Sequence, residues 1–282
     1  MFSARMRVFD RRAFLRTLGF AGGCALLGCA RRPQRLTRIG VQLYTVRAEL
    51  ERDFDGTLLR LAELGYREVE FAGYFGRTPA QVRAAVARAG LTAPGSHVAF
   101  ETLLGEFERT AGDAAAAGHG WVVVPWLPET ARRTAADWRR VAGLFNRAGE
   151  RARATGVRFA YHNQAYDWNS VEDITPFDVV ATETQPDLVD LELDVYWALK
   201  GGRDPVRLIE SYPGRFPLMH FKDALGPEQT MVDVGAGSID WSAILEHGPQ
   251  AGLQHVFVEH DTPADAFASV RAGFEYLQGV AF

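Results

Sequence analysis

The chain has 282 residues, 47% of them hydrophobic, with 31 basic and 35 acidic residues and a net charge of -4. This is the composition of a globular protein with a core of its own, and the acidic balance excludes the basic stripe of a nucleic-acid binder. Both cysteines, Cys24 and Cys29, fall near the N-terminus, so the body has no thiol for an intrachain disulfide or a sulfur-ligated metal.

The first segment reads as an export signal. Asp10-Arg11-Arg12-Ala13-Phe14-Leu15-Arg16 is a twin-arginine motif, and the apolar run after it ends at Leu26-Leu27-Gly28-Cys29. A basic start, a short apolar stretch and small residues near its end describe a signal peptide. The run is too short for a comfortable bilayer span. Residues 1–29 are therefore expected to be a Tat signal with a lipobox-like end, and residues 30–36 a tether containing Pro and Arg. The expected location is periplasmic or lipid-anchored, with a lipid on Cys29 as the one expected membrane contact.

In the body, β-rich apolar runs alternate with stretches of helical periodicity. A strand over 39–44 leads to a helix over 54–64 closed by Gly65, and a strand over 68–71 to a helix over 78–90 with Pro79 in its first turn. A weaker strand over 93–98 precedes an Ala-rich helix over 101–118, and a strand over 121–126 precedes a long amphipathic helix over 134–155. Strands over 157–162 and 189–194 lead to helices over 175–184 and 205–212. Strands over 216–220 and 255–259 lead to helices over 241–247 and 263–277.

Eight strand-helix units of this size close most simply into a (β/α)8 TIM barrel, an α/β single domain over 37–282. A doubly wound open sheet is the alternative. It calls for a Gly-rich turn after the first strand, where this chain has Tyr44-Thr45-Val46-Arg47.

Polar residues collect at the C-terminal ends of the strands: Gln42, Glu70, His97, His162, Asp194, His220 and Glu259. That end of a barrel is where active sites form. Asp194, His220 and Glu259 close three successive strands, and their side chains can converge on one divalent ion such as Mn, Zn, Co or Mg. Glu192, two residues before Asp194, is expected to pair with Arg158 as a structural ion pair. The loop Asp233-Val-Gly-Ala-Gly-Ser-Ile-Asp-Trp241 is either a phosphate-approaching turn or a plain turn into the next helix.

The runs Val41-Gln-Leu-Tyr-Thr-Val-Arg47, Tyr161-His-Asn163, Leu193-Asp-Val-Tyr-Trp197, His220-Phe-Lys-Asp223 and Val258-Glu-His-Asp261 resemble the sugar phosphate isomerase/epimerase group of the xylose isomerase-like TIM-barrel superfamily. The resemblance covers the chain after the tether. It implies a divalent metal on the last four strands, with Asp194, His220 and Glu259 on the group's aspartate, histidine and final glutamate. His162 stands where epimerases of the group carry a glutamate, and is the implied fourth metal ligand or, if not a ligand, an acid-base group.

The expected activity is that of an exported metal-dependent sugar isomerase or epimerase. It would abstract a proton next to a carbonyl through a metal-stabilised enediolate. A lyase or dehydratase on a keto-sugar or 3-keto-glycoside is one alternative, and a non-catalytic sugar-binding lipoprotein another. Glu259, His162 and Lys222 are the expected catalytic groups. Gln42, Glu70, His97, Trp197 and Lys222 are expected to hold a small sugar or keto-sugar, with stacking also open to Trp126 and Tyr44. Asp223 is expected to orient His220 or Lys222. No nucleic-acid partner is expected.

Overall fold

A computed structural model describes residues 34–282. The expected export signal, Cys29 and the start of the expected tether lie outside the described residues. Residues 34–36 are bound to the end of the chain. Gln34 and Phe282 exchange backbone hydrogen bonds of 2.6 and 3.0 Å, and the Arg35 guanidinium donates to the carbonyls of Gln278 and Gly279. Among the described residues no helix is long and apolar enough to cross a membrane.

Eight parallel strands close into the expected barrel. They are β1 (Gly40–Gln42), β2 (Glu68–Phe71), β3 (Thr92–His97), β4 (Trp121–Val124), β5 (Arg158–His162), β6 (Val189–Asp194) and β7 (Leu218–Phe221), then, beyond a hairpin of β8 (Asp223–Leu225) and β9 (Thr230–Val232), β10 (His255–Val258). β10 pairs with both β7 and β1, which completes the ring and leaves the barrel sheet no open edge.

The helices between the strands start and stop where the sequence supplies the chemistry. Thr134 and Asp137 form a reciprocal capping box at the head of the helix Ala135–Thr155, and Gly156 ends it at φ 84°. Local chemistry also explains the differences from expectation. The first strand stops early because the Gln42 side chain accepts a bond from the Tyr44 N–H at 3.1 Å and curls Leu43–Val46 into a 3-10 turn. The helix expected over 101–118 is split into Phe100–Leu104 and Phe107–Ala117, with Gly105 in the break. The last helix begins at Ala266, where the Asp265 carboxylate accepts from Ala268 N. The β8–β9 hairpin has no apolar run to announce it, and its turn depends on positive φ at Gly226 and Gln229.

The main apolar core lies between barrel and helices and includes Phe54, Phe107, Trp138, Phe145 and Trp241. A second, small cluster of Trp121, Val123, Ala160, Leu218 and Phe257 fills part of the barrel interior. The rest of that interior is polar and buried, so each group there requires a partner.

Candidate metal and catalytic site

Side chains two residues apart on a strand point the same way and differ in height by about 7 Å. The barrel interior is layered accordingly. At the N-terminal end, His255 Nδ1 lies 2.7 Å from Glu68 Oε2, and the Asp190 carboxylate accepts from Trp121 Nε1 at 2.8 Å and Arg158 at 2.6 Å. Arg158 thus pairs with Asp190 and not, as expected, with Glu192. The register sets Ala160 beside Asp190 and His162 beside Glu192, which places Glu192 one layer above Asp190 and farther from Arg158.

The middle layer joins Glu70, His97, Glu192 and His220. His97 Nε2 lies 3.0 Å from Glu192 Oε2 and 3.2 Å from Glu70 Oε2, and His220 Nε2 lies 2.7 Å from Glu70 Oε2. Gln42 Nε2 donates to the same Glu70 oxygen at 2.8 Å. Burial alone would lower the His97 pKa, but Glu70 and Glu192 outweigh it and raise the imidazole to about 9. His220 is likewise raised against burial by Glu192 and Glu259. Burial would raise Glu192, and the two imidazolium groups hold it low.

The upper layer gathers the four residues expected to hold the ion. One ligand atom each from His162, Asp194, His220 and Glu259 lies within 4.8 Å of the others, and all four residues are buried. The β6–β7 register sets Asp194 beside His220. His220 Nδ1 is 2.7 Å from Glu259 Oε2, and His162 Nε2 is 3.2 Å from Asp194 Oδ2. Asn163 fixes the Asp194 backbone from both sides, donating to its carbonyl at 3.1 Å and accepting from its N–H at 2.9 Å. The second Asp194 oxygen accepts from Trp197 N at 2.8 Å. Burial would raise Asp194, but Lys222 and His162 outweigh it and lower its pKa.

Two carboxylates and two imidazoles without sulfur suit a divalent ion of hard or borderline character. His162 Nδ1 is buried without a hydrogen-bond partner, as is Glu70 Oε1. The donor set fits such an ion.

A cavity of about 300 Å³ opens on this layer. Of the expected substrate contacts, His97, Trp197 and Lys222 line it, together with His162 and Glu259. Gln42 and Glu70 do not; both are fully buried and face His97 from behind. The exposed rings of Tyr44 and Trp126 flank the opening. Sequence reasoning missed Gln164 and Asp261 on the cavity wall. Asp261, whose Oδ1 lies 2.8 Å from Lys222 Nζ, follows Glu259 by two residues just past a strand end, and that position is the signal that could have found it.

Asp223 does not orient His220 or Lys222. Its carboxylate accepts from the N–H groups of Ala224, Gly235 and Ile239 and from Trp241 Nε1, at 2.8 to 3.3 Å. The glycine-containing loop 233–241 thus spends amides on a carboxylate of its own chain. A Cβ at Gly237 would collide with Asp223. This is a structural turn, with its anion already built in.

A family model for the xylose isomerase-like TIM barrel matches residues 58–279. An inosose dehydratase from Lacticaseibacillus casei is 31% identical over 133 residues, which cover 40% of this chain and 44% of that one. One from Geobacillus kaustophilus is 28% identical over 191 residues, covering 60% and 61%. The chain thus spans less than two thirds of the length of these curated relatives. A sugar phosphate isomerase/epimerase from Parabacteroides distasonis superposes with a TM-score of 0.74 at 28% identity, covering 86% of this chain and 93% of that one. With the barrel closed and the family model matched across most of its length, the chain belongs to the xylose isomerase-like TIM barrel family.

Proposed function

We propose that the protein is a divalent-metal-dependent isomerase or epimerase of unphosphorylated sugars or keto-sugars, working by proton abstraction next to a carbonyl. The observation that carries this reading is the convergence of His162, Asp194, His220 and Glu259 on one point beside a cavity that Lys222 and Glu259 also line. His162, Asp194, His220 and Glu259 would hold the ion, which supplies Lewis-acid polarisation of a sugar oxygen.

Glu259 carries the proton chemistry. Burial would raise its pKa, but Lys222 and His220 outweigh that and hold it low, so it is a carboxylate at neutral pH. It takes the proton from the carbon next to the carbonyl, and the electron pair moves onto the carbonyl oxygen to give an enediolate. Returning the proton to the former carbonyl carbon while the hydroxyl proton passes to the other oxygen gives an isomer, and protonation of the original carbon from the opposite face by a second donor gives an epimer. Lys222 donates a hydrogen bond to a substrate oxygen as negative charge develops there. His162, on the cavity wall, is placed to relay a proton if it is not engaged as a ligand. Tyr44, Trp126 and Trp197 offer flat apolar faces to a sugar ring.

Dehydration is the second reading. It is favoured by an imidazole at position 162, where epimerases of the group carry a glutamate. With one carboxylate base, abstraction is one-sided, and a β-hydroxyl leaving as water consumes the enediolate. The similarity to inosose dehydratases supports the same chemistry. The twin-arginine motif and the Leu26-Leu27-Gly28-Cys29 sequence support a substrate met outside the cytoplasm, hence one without phosphate.

Incubation of the native protein and Glu259→Gln with a keto-sugar panel in deuterated water, with manganese added, tests the proposal. Epimerisation installs one carbon-bound deuterium and otherwise keeps the mass, while dehydration removes water. Either outcome, abolished by Glu259→Gln, supports proton abstraction. Saccharide binding that survives the substitution, with no turnover of any member, contradicts it and points to a binding protein.

A further inference from the structure

The cavity wall holds a cation of its own. Lys222 lies directly after β7, and its side chain is almost fully buried. Its Nζ is 3.1 Å from Asp194 Oδ2, 3.0 Å from Glu259 Oε2 and 2.8 Å from Asp261 Oδ1. The first two oxygens are those that face His162 Nε2 and His220 Nδ1. They belong to the two carboxylates among the four residues that could hold a divalent ion.

We infer that Lys222 is a built-in competitor of the divalent ion, holding Asp194 and Glu259 until the ion arrives and then withdrawing from them towards the cavity. This rests on the reading that His162, Asp194, His220 and Glu259 hold the ion. An ammonium and a divalent cation that share two carboxylates repel each other strongly in a site shielded from water. The carboxylate lone pairs that accept from Nζ are also less available for coordination.

The structure supplies the position to which the ammonium retreats. Asp261 is not one of the four candidate ligands, and it lines the cavity. Its side chain is 26% exposed, against 6% for Glu259 and none for Asp194. The Trp197 ring, also on the wall, lies 5.7 Å from Nζ and offers a face to the cation. Held by Asp261 and Trp197, the ammonium points into the space a sugar would occupy. Loading the ion and presenting Lys222 to the substrate are then one event.

Calorimetric titration of manganese chloride and zinc chloride into the metal-free native protein, Lys222→Met and Lys222→Gln tests this. Removing the ammonium is expected to tighten binding by ~10-fold or more, at one ion per chain. Variants with native circular dichroism that bind no tighter than the native chain overturn the competition and leave the metal site standing. No binding by the native chain or by either variant overturns both. A crystal structure of the native chain soaked in manganese tests the same point should the variants fail to fold. Nζ is expected beyond hydrogen-bond reach, about 3.5 Å, of Asp194 Oδ2 and Glu259 Oε2. Nζ still bonded to both, with manganese on the four ligands, overturns the inference.

Discussion

His220 Nε2 lies 2.7 Å from Glu70 Oε2, while the other ring nitrogen faces Glu259. Glu70 therefore settles which nitrogen keeps its proton when a cation takes the other. With Nε2–H donated to Glu70, Nδ1 is the atom left to coordinate. Glu70→Gln replaces a charged acceptor with an amide that can also donate, and so blurs that choice. The expected result is a loss of manganese affinity of ~10-fold or more, read by calorimetry, with the fold retained.

Asp223 is the anchor of the loop after β7, accepting from three backbone amides and the Trp241 indole. Asp223→Ala leaves these donors unsatisfied in a buried setting and is expected to cost about 2–4 kcal/mol in urea denaturation. Gly237→Ala pushes a methyl into the same carboxylate and is expected to destabilise in the same direction, by about 1–3 kcal/mol.

Asp167 carries a pH signature. It is fully buried against the Tyr161 hydroxyl, and burial pushes its pKa up to about 7. A carboxyl whose folded pKa exceeds its unfolded value binds more protons when folded, so its stabilising contribution is complete below about pH 4 and is lost as pH rises to about 7. Replacing it with Asn, which cannot ionise, is expected to flatten the stability of the protein across that window by about 2–4 kcal/mol relative to the native profile. Denaturant midpoints from pH 4 to pH 7.5, taken at intervals, read it directly.

Trp126 is 50% exposed on the rim of the cavity. A ring so exposed contributes little to folding, so Trp126→Ala is expected to change stability by less than about 0.5 kcal/mol. As a stacking face it is expected to matter to ligand: the same change weakens sugar binding by about 5- to 10-fold, read by saccharide titration.

The barrel was legible because its signals are local. β-rich runs such as Trp121-Val122-Val123-Val124 stand between helices stopped by Gly65 and Gly156, and a chain of this length leaves few ways to arrange eight such units. The nearness of Asp194, His220 and Glu259 was legible too, because each stands at or next to the C-terminal end of a strand. What could not be read was the pairing inside the barrel. Glu192 and Asp190 lie on one strand face, and only the stagger of β5 against β6 decides that Arg158 reaches Asp190 while Glu192 meets His97 and His220. The β8–β9 hairpin was unreadable for another reason: it has no apolar period, and it is shaped by a positive φ at Gln229, a residue with no special preference for it. Nor does the sequence tell that Lys222 spans two carboxylates fixed on different strands.

Calorimetric titration of zinc or manganese into the native protein, Asp194→Ala and His220→Ala measures the central claim most directly. One equivalent bound by the native chain and none by either variant, with all three folded, is the predicted result. Binding of one equivalent that survives both substitutions would place the ion elsewhere and contradict the account.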